Sequence, residues 1–226
     1  MKEKKKVVAF VPIKLNSQRL PNKNILPILG NPLCWHILNT LTQVKYIDET
    51  YVYCSDETIK NYIPEKVIYL KREERLDGNL VKGFDIYESF INDVDADVYI
   101  LAHTTSPFLK TITIESALEK MLNEGYDSTF SAQRIQTFTW YKGKPINYDL
   151  NDVPRTQDME PIYVETSGFF MFEKEVFTEY RRRIGFKPYI QEIDSVEAVD
   201  IDTKEDYEFA LLISKNLKKE SKLCLD

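Results

Sequence analysis

"VVAFVPIKLNSQRLPNKN", residues 7–24, sets an apolar, valine-rich run against a polar segment with three cations and no acid. The run is short and β-branched, which predicts a buried strand over 7–13. The residues after it cannot extend that strand, because Asn16, Ser17, Pro21 and Asn22 are types that turn the chain or bond it locally. A buried strand therefore opens into a basic loop.

Similar apolar runs follow at intervals: "TYVYCS" (50–55), "KVIYL" (66–70), "DVYILAHTT" (97–105) and "DSTFSA" (127–132). Between them "PLCWHILNTLTQV" (32–44), "GNLVKGFDIYESFINDV" (78–94) and "TIESALEKMLNE" (113–124) carry helical spacing. This alternation predicts an α/β fold with a mostly parallel sheet between helix layers. Ligands of such sheets sit beyond the carboxyl ends of the strands, where the basic loop stands.

From about 134 to 166 the rhythm breaks. "RIQTFTWYKGKPINYDLNDVPRTQDMEPIYVE" holds three prolines, a Lys-Gly-Lys turn and scattered aromatics, which predicts extended hairpins inserted in the domain. Such a segment suits a dimer contact or a substrate lid. The α/β rhythm returns with "SGFFMF" (167–172), a second extended run "AVDID" (198–202) and a last helix opening at Thr203. There "TKED" offers a near capping box, Asp206 standing where Glu is usual. The strand before it is expected to end at about Asp202. The tail "SKNLKKESKLCLD" reads as the fraying end of that helix.

The 226 residues, 43% of them apolar, are enough for one sizeable core, so 1–226 is read as a single domain. With 36 acidic and 30 basic side chains the formal net charge is −6, so no global field draws the chain to nucleic acid or anionic lipid. Three cysteines, Cys34, Cys54 and Cys224, lack metal-type or disulfide-type spacing, which favours reduced thiols and a cytoplasmic protein. The amino terminus has the order of a secretory signal, but its apolar run stops after about seven residues without a small-residue cleavage site. No segment approaches the roughly 20 apolar residues of a membrane span.

Four constellations carry charge or hydrogen-bonding capacity. Lys14, Arg19 and Lys23, with Asn16, Ser17 and Asn22, fit either a solvated surface turn or a loop that wraps a polyphosphate with backbone amides and mobile cations. Neither a P-loop nor a Gly-x-Gly-x-x-Gly motif exists in the chain. In "VDIDT" (199–203) Asp200 and Asp202 would project from one face of an extended run, with Cα atoms about 6.6 Å apart. That span allows them to share a hydrated divalent cation, Mg²⁺ being the natural one; a turn residue beside a surface ion pair is the alternative. In "LAHTTSPFL" (101–109) a buried strand ends in a polar tetrad, and His103 either reads a base edge or sugar hydroxyl or is structural. In "VPRTQD" (153–158) and "YVETSG" (163–168), Arg155, Gln157 and Glu165 could meet an anionic ligand, or Arg155 could pair with Asp158.

Together these segments resemble the acylneuraminate cytidylyltransferase family, the CMP-sialic acid synthetases and their CMP-KDO relatives, from about Val7 to Ile213. The loop matches the family pattern at Ser17, Leu20, Pro21, Lys23 and Asn24, and further matches are "SDETI", "TTSPF", "RTQDMEPIYVETSGFFMF" and "VDIDTKEDY". The resemblance implies a three-layer, Rossmann-like nucleotide-diphospho-sugar transferase fold with a small β-rich dimerisation excursion, and a homodimer. It also implies CTP and an acid sugar as substrates, with Mg²⁺ as cofactor. Carried over by position, Lys14, Asn16, Ser17, Arg19, Lys23, Asn24, Arg72, His103 and Ser106 bind the nucleotide. Thr104, Gln157, Tyr163, Glu165 and Ser167 face the sugar, Asp200 and Asp202 hold the metal, and Lys14, Lys23 and Asp202 act in catalysis. Three departures stand out: Lys14 where the family carries arginine, His103-Thr104 where it carries Gln-Pro, and Ser167-Gly168 where it carries Asn-Gly.

The implied reaction joins the anomeric hydroxyl of a 2-keto acid sugar to the α-phosphate of CTP and releases pyrophosphate. Phosphoryl transfer of this kind depends on placement and charge neutralisation. The alternatives are a nucleotidyltransferase for another sugar or polyol phosphate, and a non-catalytic CTP-binding relative.

Overall fold

The computed structural model describes residues 4–223; Cys224 and the last of the predicted frayed tail lie outside them. Seven strands form one sheet: β1 (Val7–Pro12), β2 (Glu49–Cys54), β3 (Ile68–Lys71), β4 (Val98–Ala102), β5 (Ser128–Ile135), β6 (Ile162–Glu173) and β7 (Pro188–Ile193). Their spatial order is β3-β2-β1-β4-β6-β5-β7. All neighbours are parallel except β6, which runs antiparallel to both β4 and β5.

The central strands are apolar throughout because both of their faces are covered. Val7, Ala9 and Val11 of β1 join Val98, Ile100 and Ala102 of β4 in a core beneath α1 (Leu33–Leu41) and α3 (Thr111–Glu124). Val8 and Phe10, with Tyr99 and Leu101, face the opposite way, toward α2 (Gly83–Asp93) and the short α4 (Lys174–Thr178). Phe10 stacks on Phe90 of α2 with ring centroids 4.2 Å apart. Burying a ring of that size contributes roughly 2–3 kcal/mol. The result is the expected three-layer α/β architecture. Cys34 and Cys54 are buried in the first core, where burial pushes the Cys34 thiol up to about 12; neither is poised to react.

A third, smaller core positions the site. Leu20 and Ile28, from the segment after β1, pack with Leu33, Val199, Ile201 and Ala210 of α5 (Lys204–Leu223). The predicted capping box of α5 forms, with Thr203 Oγ1 accepting from Asp206 N at 3.2 Å and Thr203 N donating to Asp206 Oδ2 at 2.8 Å.

Two expectations are corrected. Residues 198–202 are not a strand: they lie in a turn and irregular segment after β7, tied to the loop after β4 by Ile201 N donating to Thr105 O at 2.9 Å. Val199 and Ile201 alternate with aspartates because they plug the third core, which mimics a strand pattern. The last strand is instead Pro188–Ile193, an edge strand paired with β5 alone and half-buried along much of its length. Within 134–166 the structure holds one short hairpin, Trp140–Tyr141 against Lys144–Pro145. Its turn is the Lys-Gly step, Lys142 at φ 49° and Gly143 at φ 77°, the left-handed pair that a two-residue hairpin turn requires. At its two ends 134–135 and 162–166 belong to the antiparallel pair β5–β6, and the remainder is irregular apart from an isolated Asp149–Asp152 bridge and one helical turn at Thr156–Asp158.

Candidate active site

In this sheet order the chain leaves β1 toward β2 on one side, while β4 lies on the other. The crevice between such diverging connections, at the carboxyl ends of the strands, is where open α/β sheets bind ligands. The loop after β1 and the loop after β4 meet there. Asn24 is their keystone: its Nδ2 donates to Lys14 O at 2.7 Å, and its Oδ1 accepts from Thr104 Oγ1 at 2.6 Å. Both side chains are buried, so the basic loop is pinned to β4 by hydrogen bonds that water cannot easily replace.

Two adjoining cavities open over this junction. One, of about 290 Å³, is walled by Lys14, Lys23, His103, Ser167, Asp200 and Asp202 among others. The second, of about 220 Å³, shares Lys14, Ser17, Lys23 and Asp202 and extends along Asn16 and Arg19. Asp202 is the meeting point of charge, its Oδ1 at 2.9 Å from Lys23 Nζ and its Oδ2 at 2.8 Å from Arg19. Burial pushes the Asp202 carboxyl up, and the Lys23 and Arg19 charges outweigh it, holding the group below its ordinary value. Asp206 Oδ2 accepts from the Asp202 backbone N–H at 3.0 Å, so the cap of α5 also orients this residue.

Asp200 differs. Its Oδ2 accepts from Ser167 Oγ at 2.9 Å, but its Oδ1 is buried with no hydrogen-bond partner. His103 Nδ1 lies 2.7 Å from Ser167 O, and burial pushes the imidazole below its ordinary value. A neutral ring so placed donates from Nδ1 and leaves Nε2 as its acceptor.

A family model described as Cytidylyltransferase matches residues 8–224. The chain belongs to this family. The N-acylneuraminate cytidylyltransferase of Streptococcus agalactiae serotype III (strain NEM316) is 23% identical over 213 residues, 89% of this chain and 52% of that protein. The chain thus spans about half the length of the first curated relatives it matches. The pseudaminic acid cytidylyltransferase of Campylobacter jejuni is 23% identical over 227 residues, covering 93% of this chain and 97% of its own. Among solved structures, a CMP:2-keto-3-deoxy-manno-octonic acid synthetase complexed with CTP superposes with a TM-score of 0.69 at 19% identity, over 95% of this chain and 99% of that one.

This member of the cytidylyltransferase family brings Lys14, Asn16, Ser17, Arg19, Lys23, Asn24, His103, Thr104, Ser167, Asp200 and Asp202 to the two cavities. It does not bring the other expected residues there. Arg72 is 2% exposed and pairs with Asp77 at 2.6 Å; Asp77 O in turn accepts from Lys14 Nζ. Arg72 thus acts on the site at one remove, by fixing the segment that holds Lys14. Ser106 is buried and does not line either cavity. Gln157 lies in the exposed turn at Thr156–Asp158, where its carbonyl accepts from Gln136. Tyr163 donates to Glu192 at 2.7 Å, and Glu165 pairs with Arg183 at 3.1 Å. Arg155 takes the surface option, bonding Asp158 at 2.7 Å.

Sequence reasoning missed Asn79, whose Oδ1 accepts from Lys14 Nζ at 3.1 Å, and the role of Gly168. A Cβ on Gly168 would stand 2.7 Å from Ser131 Oγ and 3.0 Å from Leu109 Cδ1. A side chain here would push Ser131 or Leu109 aside, at the point where the register of β6 with β5 shifts between Glu165 and Phe170, the stretch that also carries Ser167.

Proposed function

We propose that the chain transfers CMP from CTP to the anomeric hydroxyl of a 2-keto-3-deoxy acid sugar, a sialic acid-like nonulosonate, and releases pyrophosphate. The observation that carries this reading is the convergence of Lys23 and Arg19 on Asp202 beside the unpartnered Asp200 Oδ1. Cations held in reserve beside paired carboxylates suit a metal-bound triphosphate.

In the transfer, the sugar hydroxyl gives up its proton to water and its oxygen bonds to the α-phosphorus as the bond to the bridging oxygen of pyrophosphate breaks, and that electron pair leaves with pyrophosphate. Lys14, Lys23 and Arg19 neutralise the β and γ phosphates and align them with the attacking oxygen. Lys23 is suited to this, its side chain being only 13% exposed, so its charge acts through little water.

The residues fit Mg²⁺. A buried, unpartnered carboxylate oxygen is costly unless a cation or donor completes it, and Asp200 Oδ1 is such an atom beside a second carboxylate. No group of three or more His, Cys, Asp or Glu among the described residues could hold a metal. Asp200 and Asp202 would therefore bind the ion with phosphate oxygens and water, the manner in which Mg²⁺ is usually held. When bound, it supplies charge neutralisation at the phosphates and the departing pyrophosphate.

Homodimerisation through 134–166 belongs to the same reading, supported by the exposed Phe138, Trp140, Tyr141, Ile146, Leu150 and Val153 of that segment. No helix among the described residues is long and apolar enough to cross a membrane. The deciding experiment incubates the chain with Mg²⁺, each of four nucleoside triphosphates and a set of eight- and nine-carbon keto acids and polyol phosphates, followed by mass spectrometry, with CTP binding read by calorimetry. A CMP ester formed only from CTP and a keto acid is expected. Product from a polyol phosphate, or CTP binding with no product at all, would replace this reading.

A further inference from the structure

Three consecutive arginines, 181–183, follow α4, and each is disposed of differently. Arg181 bonds Glu88 at 2.8 and 2.9 Å and Asp85 at 2.7 Å, which straps the turn to α2. Arg182 lies over the ring of Phe186 and donates to Gly185 O. Arg183 points to the sheet: its guanidinium carbon lies 3.7 Å above the centroid of the Phe170 ring, and it pairs with Glu165 at 3.1 Å. The ring of His103, on the cavity wall, packs edge-on against the same Phe170, with centroids 6.3 Å apart at 80°.

We propose that Arg183 is a specificity-determining residue that binds the carboxylate of the incoming acid sugar, taking it in exchange for Glu165. This rests on the cytidylyltransferase reading above. The cations of the β1 loop stand at Asp202, on the triphosphate side, and the carboxylate of an acid sugar needs its own partner on the β6 side. Arg183 is stacked on the Phe170 ring, so its planar fork is already ordered, which lowers the entropy lost on binding. Besides the Tyr87 hydroxyl, its present partner is a carboxylate, and Glu165 is 49% exposed; exposed pairs of this kind contribute little and exchange readily. Through Phe170, Arg183 is one ring away from His103 on the cavity wall.

The test is calorimetric titration of N-acetylneuraminate, 3-deoxy-manno-octulosonate and pseudaminate into the chain with CTP-free Mg²⁺ and CMP, followed by steady-state kinetics on whichever is turned over. Arg183→Gln is expected to weaken binding of the acid sugar by about tenfold or more, the scale of a lost charge-assisted fork, while the KM for CTP stays within about twofold. Arg183→Lys is expected to recover part of the loss, and Glu165→Gln to leave sugar binding equal or tighter. Thermal melting of each variant shows that the fold is intact. Sugar binding that survives Arg183→Gln, or falls equally in Glu165→Gln, overturns this inference alone. If none of the three acids binds the unaltered chain, both this inference and the reading beneath it fall.

Discussion

The loop after β1 and the arm between β5 and β6, with the start of β6, both carry residues expected to meet substrate, yet they are held by different means. Leu20, Asn24 and Ile28 are buried in or beside the third core, and Lys23 meets an aspartate that α5 orients from below. Gln157, Tyr163 and Glu165 instead stand exposed, each with a partner of its own on the arm, on the edge strand or in the turn after α4. The contrast matches two tasks. Under the proposed function, a triphosphate is the same in every turnover and would be met by a preformed cradle, whereas the arm would be free to vary with the acceptor or to serve a neighbouring subunit.

The largest effect is expected on the braced side. Asp202→Asn removes the charge that gathers Lys23 and Arg19 and one of the two proposed metal ligands. Turnover should fall by at least about a hundredfold, ~2.7 kcal/mol of transition-state stabilisation. The melting temperature should fall only modestly, because Lys23 and Arg19 lose their shared partner while the third core keeps its packing. A steady-state pyrophosphate assay reads the outcome, and near-normal turnover would dissolve the distinction between cradle and arm.

Next comes the arm itself. Ile146 is 59% exposed, so Ile146→Asp should leave the monomer's stability within about 0.5 kcal/mol, as for surface substitutions generally. Sedimentation velocity should show a dimer in the unaltered chain and dissociation in the variant. Two identical profiles would remove the arm from any interface and leave its exposed aromatics without a partner.

The braced half is also the legible half. β1 and β4 read directly from sequence because a strand buried on both faces has nowhere to place a polar residue. The basic loop is legible for a related reason: Lys14, Lys23 and Asn24 fall where the sheet must place a ligand. Where the pattern misleads, two structures share one periodicity. Val199 and Ile201 alternate with aspartates as a strand would, though they fill a small core and make no ladder. In Pro188–Ile193 the edge strand hides because only Ile193 is fully buried. Contacts such as Arg72 with Asp77, or Arg183 with Phe170, carry no local signal. They depend on the register between strands and on loops that the sequence does not align.

His103 stands at the seam between the halves and gives the smallest expected effect. Burial holds its imidazole below the ordinary 6.5, so the native state refuses a proton that the unfolded chain accepts. In that window the unfolded state binds more protons, and stability must fall as pH drops from about 6.5 toward the lower native value. His36 is lowered in the same direction by burial, so the two histidines share the slope. His103→Gln, which keeps a donor for Ser167 O, should therefore flatten the loss of melting temperature between about pH 6.5 and 5 without abolishing it. An unchanged slope would mean that His103 takes up its proton in the folded state, which would make it a cation facing Asp200 across the cavity and would shift the charge balance of the sugar side.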